Sequence, residues 1–457
     1  MRSSASSIPL SAAALVAIIC TLALPLSGCG KKKTQEANGH PSPTPIPVLP
    51  RKNYDLSKLF SQILVKSSVT CEPSEQTALT VAASTNSYEL DINLHVLWPK
   101  AATSPTDLAA ATPELPLLLP ELETLLAGIQ PSPDFTTLLG NKERSLKANL
   151  QLLQKLPYRD SLFDCQTILN LENRKTSRRA LLIQAIMNVN TDGSDGDRNL
   201  EIDKLSTTYQ PQTNYRWPKT GQHLNPCLRD FESRLALLDA EISTGTMTQE
   251  QKAAFIREQS YVKATIDELK RWDFLVGTAD PFIVLPSFMV GKSPGQPSIG
   301  DYAVVICHGK LYPAILGDLG PGTKIGEASL RLCRQIEPKS GAERRPVSRP
   351  EVAYLVFPGT ADKPFSAPDY RRWSERCRAL WKEFGGSESS AWYEWTSLEK
   401  PWPTPTPSPT PVTSPTEFST PGGTPQPSAG TNTALKDPVV PASSNPISAL
   451  PSPTPNQ

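Results

Sequence analysis

The stretch YAVVICHGKLYPAILGDLGPGTKIGEASL, residues 302–330, says most about the fold of this chain. Its runs YAVVI (302–306) and LYPAIL (311–316) are short, apolar and rich in β-branched and aromatic residues, as β-strands are. Similar runs occur at 281–286 (PFIVLP) and 352–357 (VAYLVF), with Gly, Pro and Ser clusters between them. Short runs at this spacing predict a small β-barrel or sandwich.

The same stretch contains two carboxylates, Asp318 and Glu327, on either side of a Gly-Pro-Gly sequence at 320–322. On a helix these acids would lie on opposite faces, and on a straight strand they would be roughly 30 Å apart. Proline fixes φ and glycine accepts positive φ, so a chain reversal is expected between them. A reversal would bring them within about 10 Å, where two carboxylates flank a glycosidic bond. Taken alone, however, this pattern favours an ordinary tight turn.

Composition limits the classes of function. The chain has 457 residues with 46 Lys and Arg against 45 Asp and Glu, so no basic field indicates nucleic-acid binding. Proline contributes 47 residues, which is about twice its usual share. Proline-rich segments at residues 30–50 and 399–457 predict a tether and a disordered tail.

The N-terminus has the pattern of an export signal. Arg2 precedes a mostly apolar run to Pro25, and small residues then lead into Cys29. This sequence resembles a bacterial lipobox, so we expect a signal peptide at 1–28, a lipidated Cys29 and a membrane-anchored protein outside the cytoplasm. The alternative is an uncleaved membrane helix, for which the apolar length is barely adequate.

Six further cysteines follow Cys29. An even number in an exported chain favours up to three disulfides, although the sequence does not determine their pairing. The cysteines and histidines have no spacing typical of a metal site, so no metal is expected. The cysteines are Cys71, Cys165, Cys227, Cys307, Cys333 and Cys377.

The chain between the two proline-rich ends divides into two parts. Leucine-rich patterns predict an α-rich accessory region of unknown role at 51–180. The strand-like runs belong to a second part, 181–398. Within it, residues 226–272 read as two charged helices, which we interpret as a helical hairpin inserted into a different fold.

Several elements together resemble the fungal-type chitosanases of glycoside hydrolase family 75. The resemblance covers about residues 183–360 and is interrupted by the charged hairpin. Its most specific part is the G-D-x-G-P…I-G-E-x-S pattern within GDLGPGTKIGEASL. The elements are MNVNTDGSDGDRN (187–199), DPFIVLP (280–286), SIGDYAVVI (298–306), GDLGPGTKIGEASL (317–330) and VAYLVFPGT (352–360).

The resemblance implies an enzyme. Asp318 and Glu327 match the family's essential acid pair, which implies inverting endo-hydrolysis of the β-1,4 bonds of chitosan without a cofactor. We assign the acid role to Asp318 and the base role to Glu327, with the reverse assignment open. The D-x-G-P element is also similar to double-psi β-barrels, so the expected fold is mainly β: a six-stranded double-psi-like barrel carrying the hairpin and the accessory region.

Two other functions remain open at this point. The chain could be a non-catalytic lipoprotein that binds carbohydrate or peptidoglycan, or a peptidoglycan glycosidase or lytic transglycosylase. A binding protein has no need of both acids, so the pair favours an enzyme acting on a polysaccharide.

The acidic stretch at 187–199 has three interpretations. Its carboxylates Asp192, Asp195 and Asp197 could line the cleft and hold the ammonium groups of a cationic polymer. The stretch could instead be a solvated turn. It also imitates the first half of a calcium loop, although the first position is Asn188 and the twelfth is Asn199, where that loop has Asp and Glu.

Overall fold

The computed structural model describes residues 70–71, 73–84, 90–244, 247–291, 293 and 295–403. The predicted signal peptide, Cys29, the tether to residue 50 and the tail beyond residue 403 lie outside the described residues. None of the described helices combines the length and the apolar character that crossing a membrane requires.

Six strands close into a mixed β-barrel. Going round the ring, the order is β2, β8, β5, β7, β6 and β9, and β9 pairs back onto β2. Outside the ring, β1 pairs with β2, β10 pairs with β7, and β3 and β4 form a separate two-stranded sheet. The strands are β1 (Cys165–Asn173), β2 (Arg178–Asn190), β3 (Arg216–Pro218), β4 (Trp272–Phe274), β5 (Phe282–Pro286), β6 (Tyr302–Cys307), β7 (Lys310–Gly320), β8 (Glu327–Ser329), β9 (Val347–Val356) and β10 (Ala391–Trp392).

The apolar runs of the sequence form strands of this ring because both of their faces are buried. Alternate side chains from all six ring strands, such as Ile183, Ile283 and Val305, form one apolar cluster that fills the barrel. The side chains between them, such as Val284 and Val304, join a second cluster with the surrounding helices. This arrangement explains why β5 and β6 read as continuous apolar runs.

Ten α-helices accompany the barrel within the described residues, so the expectation of a mainly β fold is only partly met. The longest helix before the barrel is α5, which begins after a Ser132 cap with proline at its first position. The helices are α1 (Ala78–Ala83), α2 (Pro105–Ala111), α3 (Leu115–Leu118), α4 (Leu122–Leu125), α5 (Pro133–Gln151), α6 (Arg159–Leu162), α7 (Leu228–Ser243), α8 (Gln249–Arg271), α9 (Leu330–Ile336) and α10 (Tyr370–Phe384).

The region before residue 181 is joined to the barrel. β1 and the first residues of β2 already lie within it, so the boundary expected at 180/181 falls inside a barrel strand. Leu169 and Leu171 of β1 share an apolar cluster with Leu108 of α2 and with ring strands. The leucine pattern indicated helices here but could not show against which surface they pack.

The two charged helices α7 and α8 follow one another between the paired strands β3 and β4. They have a small apolar cluster of their own, which includes Leu238 and Val262. An ion pair of 2.8 Å between Arg234 and Glu258 also joins them.

The expected disulfides are not present among the described cysteines. All six cysteines from Cys71 to Cys377 are free, and five of them are buried while Cys71 is exposed. The thiols of Cys333 and Cys377 donate to backbone carbonyl oxygens in the core. Buried free cysteines commonly behave in this way, as small apolar residues with a weak S–H donor. Counting cysteines gave the wrong prediction because it ignores where each thiol lies.

Candidate active site

Asp318 and Glu327 lie on the two strands that flank β5. Val284 of β5 pairs with Asp318 on its parallel neighbour β7 and with Glu327 on its antiparallel neighbour β8. The Cα atoms of the two acids are therefore two strand spacings apart, about 10 Å. Residues paired directly across strands point to the same face, so both carboxylates lie above Val284.

A β-bulge in β7 puts Asp318 on this face. Ile283 pairs with Leu316 and Val284 pairs with Asp318, so Gly317 is an extra residue on β7. Without the bulge, the alternation of the strand would turn the Asp318 side chain to the other face. Gly317 is required here because a Cβ would lie 2.7 Å from both Leu275 and Phe282 side-chain atoms.

A reciprocal pair of hydrogen bonds fixes the Asp318 carboxyl. The backbone N–H of Asn214 donates to Asp318 Oδ1 at 2.9 Å, and the Leu319 N–H donates to Asn214 Oδ1 at 3.1 Å. Asp318 is 7% exposed. Burial raises the pKa of Asp318 well above its usual range, the charge of Asp192 adds to this, and the two N–H groups oppose it.

The Glu327 side chain reaches across β5 toward β7. A Cβ added at Gly320 would lie 2.8 Å from Glu327 Oε2 and 3.2 Å from Val284 Cγ1. The Glu327 carboxyl therefore lies over β7, the strand that carries Asp318. Glu327 is partly exposed; burial raises its pKa, and the charge of Lys324 opposes this shift.

Asp192 adds a third carboxyl to the same electrostatic environment. Its Oδ1 accepts from the Gln210 N–H at 2.8 Å and its Oδ2 accepts from Asn190 Nδ2 at 3.0 Å. Burial raises the pKa of Asp192 to about 7, and the charge of Glu327 contributes to the rise. The charges of Asp192 and Glu327 in turn raise the pKa of Asp318, so its protonation depends on both neighbouring acids.

The other two acids of this stretch are engaged by internal partners. Asp195 is buried and pairs with Arg198 at 2.5 Å, and Arg198 also contacts Asp280. Asp197 pairs with Lys219 at 2.9 Å and accepts from the Thr220 N–H, which together lower its pKa against the effect of burial. The structure thus brings Asp192 to the candidate pair Asp318 and Glu327, whereas cleft lining by Asp195 and Asp197 stays a prediction.

The described residues contain no group of three or more His, Cys, Asp or Glu side chains arranged to hold a metal ion. In the stretch that imitates a calcium loop, Asn190 Nδ2 donates to Asp192 Oδ2, and Asn190 Oδ1 accepts from the Asp192 backbone N–H, both at 3.0 Å. These two side chains are therefore turned toward each other.

The site depends on residues that the sequence did not indicate. Asn214 lies in a segment with no motif, more than a hundred positions before the acid that it holds. The bulge at Gly317 follows from pairing with β5, which no local pattern specifies. The sequence shows Gly317 directly before Asp318, but it does not show that a bulge requires a glycine there.

Comparison with known proteins gives one match. Residues 187–383 match the model of a family described as fungal chitosanase of glycosyl hydrolase group 75. This confirms the resemblance read from the sequence motifs and extends it through most of α10. The segment contains Asp192, Asp318 and Glu327, and it is similar to chitosanase-type glycoside hydrolases. No curated protein matches the chain.

Proposed function

We propose that this chain is a chitosanase-like glycoside hydrolase that cuts β-1,4-linked glucosamine polymers internally and with inversion. One observation carries the proposal: Val284 pairs on one side with Asp318 and on the other with Glu327, so two acids face the same surface. Inverting glycosidases have carboxyl groups about 6.5–9.5 Å apart, with room for a water molecule. Two acids on one face with Cα atoms about 10 Å apart are compatible with this range.

The environments of the two acids favour different roles. Asp318 is the more deeply buried of the two, and its raised pKa favours the protonated form, which an acid that donates to the departing glycosidic oxygen needs. Glu327 is partly exposed and close to Lys324, whose charge favours ionisation. As the ionised partner, Glu327 would take a proton from the water that attacks the sugar from the opposite side.

Asp192 would support this division of roles. Its charge, when present, holds the proton on Asp318, and its partly exposed carboxyl could also contact an ammonium group of the polymer. The Asp192 carboxyl accepts hydrogen bonds from the Gln210 N–H and from Asn190 Nδ2, and these two bonds hold it in one orientation.

The proposal is tested by incubating the wild-type protein with chitosan and with peptidoglycan and measuring new reducing ends. Asp318→Asn and Glu327→Gln should each lower the rate on chitosan about 10²–10⁴-fold. Glu250→Gln, at an exposed position of α8, is the control and should match the wild type. Release from peptidoglycan alone would support a peptidoglycan glycosidase instead. Binding of either polymer without any release would support a carbohydrate-binding lipoprotein.

A second part of the proposal concerns location. The pattern that ends in Cys29 supports a lipid anchor that holds the enzyme outside the cytoplasmic membrane. Growing a bacterial host with a labelled fatty acid should label the wild-type protein and the Cys20→Ala variant but not Cys29→Ala. Equal labelling of all three proteins, or of none, would contradict the anchor.

A further inference from the structure

A buried lysine of helix α5 contacts the loop that joins the two candidate catalytic strands. Lys142 is 3% exposed, yet its ammonium group has three acceptors. They are the Ser161 carbonyl at 2.9 Å, Asp164 Oδ2 at 2.9 Å and the Thr323 carbonyl at 2.7 Å. Three acceptors satisfy all three donors of the lysine, so its position is closely defined.

Two further contacts from the same side hold this loop, residues 321–326. Asp164 Oδ2 accepts from the Ile325 N–H at 3.4 Å, and Asn141 Nδ2 donates to the Gly322 carbonyl at 2.9 Å. Asn141, Lys142 and Asp164 all precede the segment that matches the chitosanase family. We call these three residues the loop clamp.

The loop sets where Glu327 lies relative to Asp318. β8 is only three residues long and begins at Glu327, directly after the loop. Gly326, the last loop residue, has φ of +82°, and its carbonyl accepts from the Asn188 N–H at 2.7 Å. A shift of the loop would therefore move Glu327 along its neighbouring strands.

A buried ion pair is a poor source of stability, because the cost of desolvating both charges offsets their attraction. Burial raises the pKa of Asp164 to about 6 even though the charge of Lys142 opposes the rise. Apolar side chains of similar size would fill the same space. They could not provide directed hydrogen bonds. The lysine donates one to the Thr323 carbonyl in the loop and one to the Ser161 carbonyl in the segment before β1.

We infer that Lys142 and Asp164, with Asn141, are positioning residues of the hydrolase: they hold the loop that sets the spacing between Asp318 and Glu327. The inference rests on the proposed function and adds to it that the region before residue 181 is part of the catalytic unit. A misplacement of about 1 Å can cost a catalyst roughly a hundredfold in rate.

The test compares three single variants of the full chain in chitosan hydrolysis and in thermal unfolding. Lys142→Met should lower kcat about 10–100-fold with KM within about twofold. Asn141→Ala, which loses one hydrogen bond to the loop and one to Arg144, should lower kcat about 3–10-fold. Lys147 lies on the same helix, is exposed and forms an ion pair with Glu143, away from the loop, so Lys147→Met should keep the wild-type kcat.

Activity is expressed per folded molecule, which separates positioning from simple loss of structure. If Lys142→Met unfolds, Asn141→Ala still decides the matter, because that side chain is only partly buried. A folded Asn141→Ala or Lys142→Met protein with wild-type kcat would overturn the inference. A raised KM at unchanged kcat would also overturn it, because that would show a role in substrate binding.

Hydrogen–deuterium exchange separates this inference from the proposed function. Peptides covering residues 320–327 should exchange faster in Asn141→Ala and Lys142→Met than in Lys147→Met. If the wild type proves inactive on chitosan, the proposed function fails, and faster exchange would still show that the clamp holds the loop. Unchanged exchange in both clamp variants would overturn the clamp itself, whatever the activity.

Discussion

A methyl group added at Gly320 would meet the candidate base. Its Cβ would lie 2.8 Å from Glu327 Oε2, which is closer than such atoms approach one another, whereas the Glu327 side chain is flexible enough to move away. Gly320→Ala should therefore leave the protein folded and lower kcat on chitosan about 10–100-fold, because the carboxyl is displaced from its place beside β7.

A second glycine provides the control for this variant. Gly140, within α5, has nothing within 4 Å of an added Cβ. Gly140→Ala should keep the wild-type kcat and stabilise the helix by about 0.5–1 kcal/mol. Equal activity of Gly320→Ala and the wild type would show that the Glu327 carboxyl is not needed where the structure places it.

The shared environment of the acids has a consequence for stability against pH. The pKa of Asp192 is raised from 3.8 to about 7 in the folded protein. Stability from this group is therefore fully present below about pH 3.8 and is lost as the pH rises through about 7, because ionisation then favours the unfolded chain.

Asp192→Asn should remove the loss of folding stability that ionisation of Asp192 causes as the pH rises. Between pH 5 and pH 8 the wild type should lose on the order of 1–2 kcal/mol of unfolding free energy through this group, after allowance for solvent screening. The variant should lose less. Any hydrogen bond to Asn190 that the substitution removes costs the same at both pH values. Urea unfolding at the two pH values measures the difference, and an identical pH slope in both proteins would contradict the raised pKa.

The sequence identifies the two candidate acids better than it predicts how they are arranged in space. Asp318 and Glu327 stand out because a specific pattern surrounds them. Their common face depends on the bulge at Gly317 and on Asn214, which come from pairing between segments far apart in the chain. Local patterns carry no information about such pairing.

At the scale of elements, the sequence predicts the long apolar strands but not the short strand β8. The long apolar runs became strands, because a run buried on both faces is visible in the sequence. β8 was not predicted, since three residues beginning with a charged one have no periodicity. Two charged helices were expected within 226–272, and α7 and α8 lie there. α8 begins at a cap in which the side chains of Thr248 and Gln251 each accept from the other's backbone N–H.

This cap also yields a prediction about the hairpin. α7 and α8 pack mainly on their own apolar cluster, so loosening the start of α8 should not disturb the strands that carry Asp318 and Glu327. Thr248→Ala should lower the unfolding free energy by about 1 kcal/mol and leave kcat/KM on chitosan unchanged.

Thr207→Ala, at an exposed threonine, is the matched control and should change neither quantity. A fall of more than about fivefold in kcat/KM for Thr248→Ala, which is about 1 kcal/mol, would mean that the hairpin takes part in substrate binding.

At the scale of the whole molecule, the barrel closes through pairing of β2 with β9, whose residues are about 170 positions apart in the chain. The spacing of the strand-like runs left a barrel and a sandwich open, and the similarity of the D-x-G-P element to double-psi barrels favoured the closed form. The accessory region is the clearest difference between expectation and structure: it supplies β1, part of β2 and the buried side chain of Lys142. Leucine periodicity shows that a surface is buried, but not what buries it.

The central claim is that Asp318 and Glu327 act as an inverting acid and base on either side of β5. Proton NMR during the first minutes of chitosan oligomer hydrolysis tests it most directly, because it observes the anomer that forms before mutarotation. We expect the wild type to release the α-anomer first and Asp318→Asn and Glu327→Gln to release almost none. Initial release of the β-anomer, or undiminished release by either variant, would contradict it.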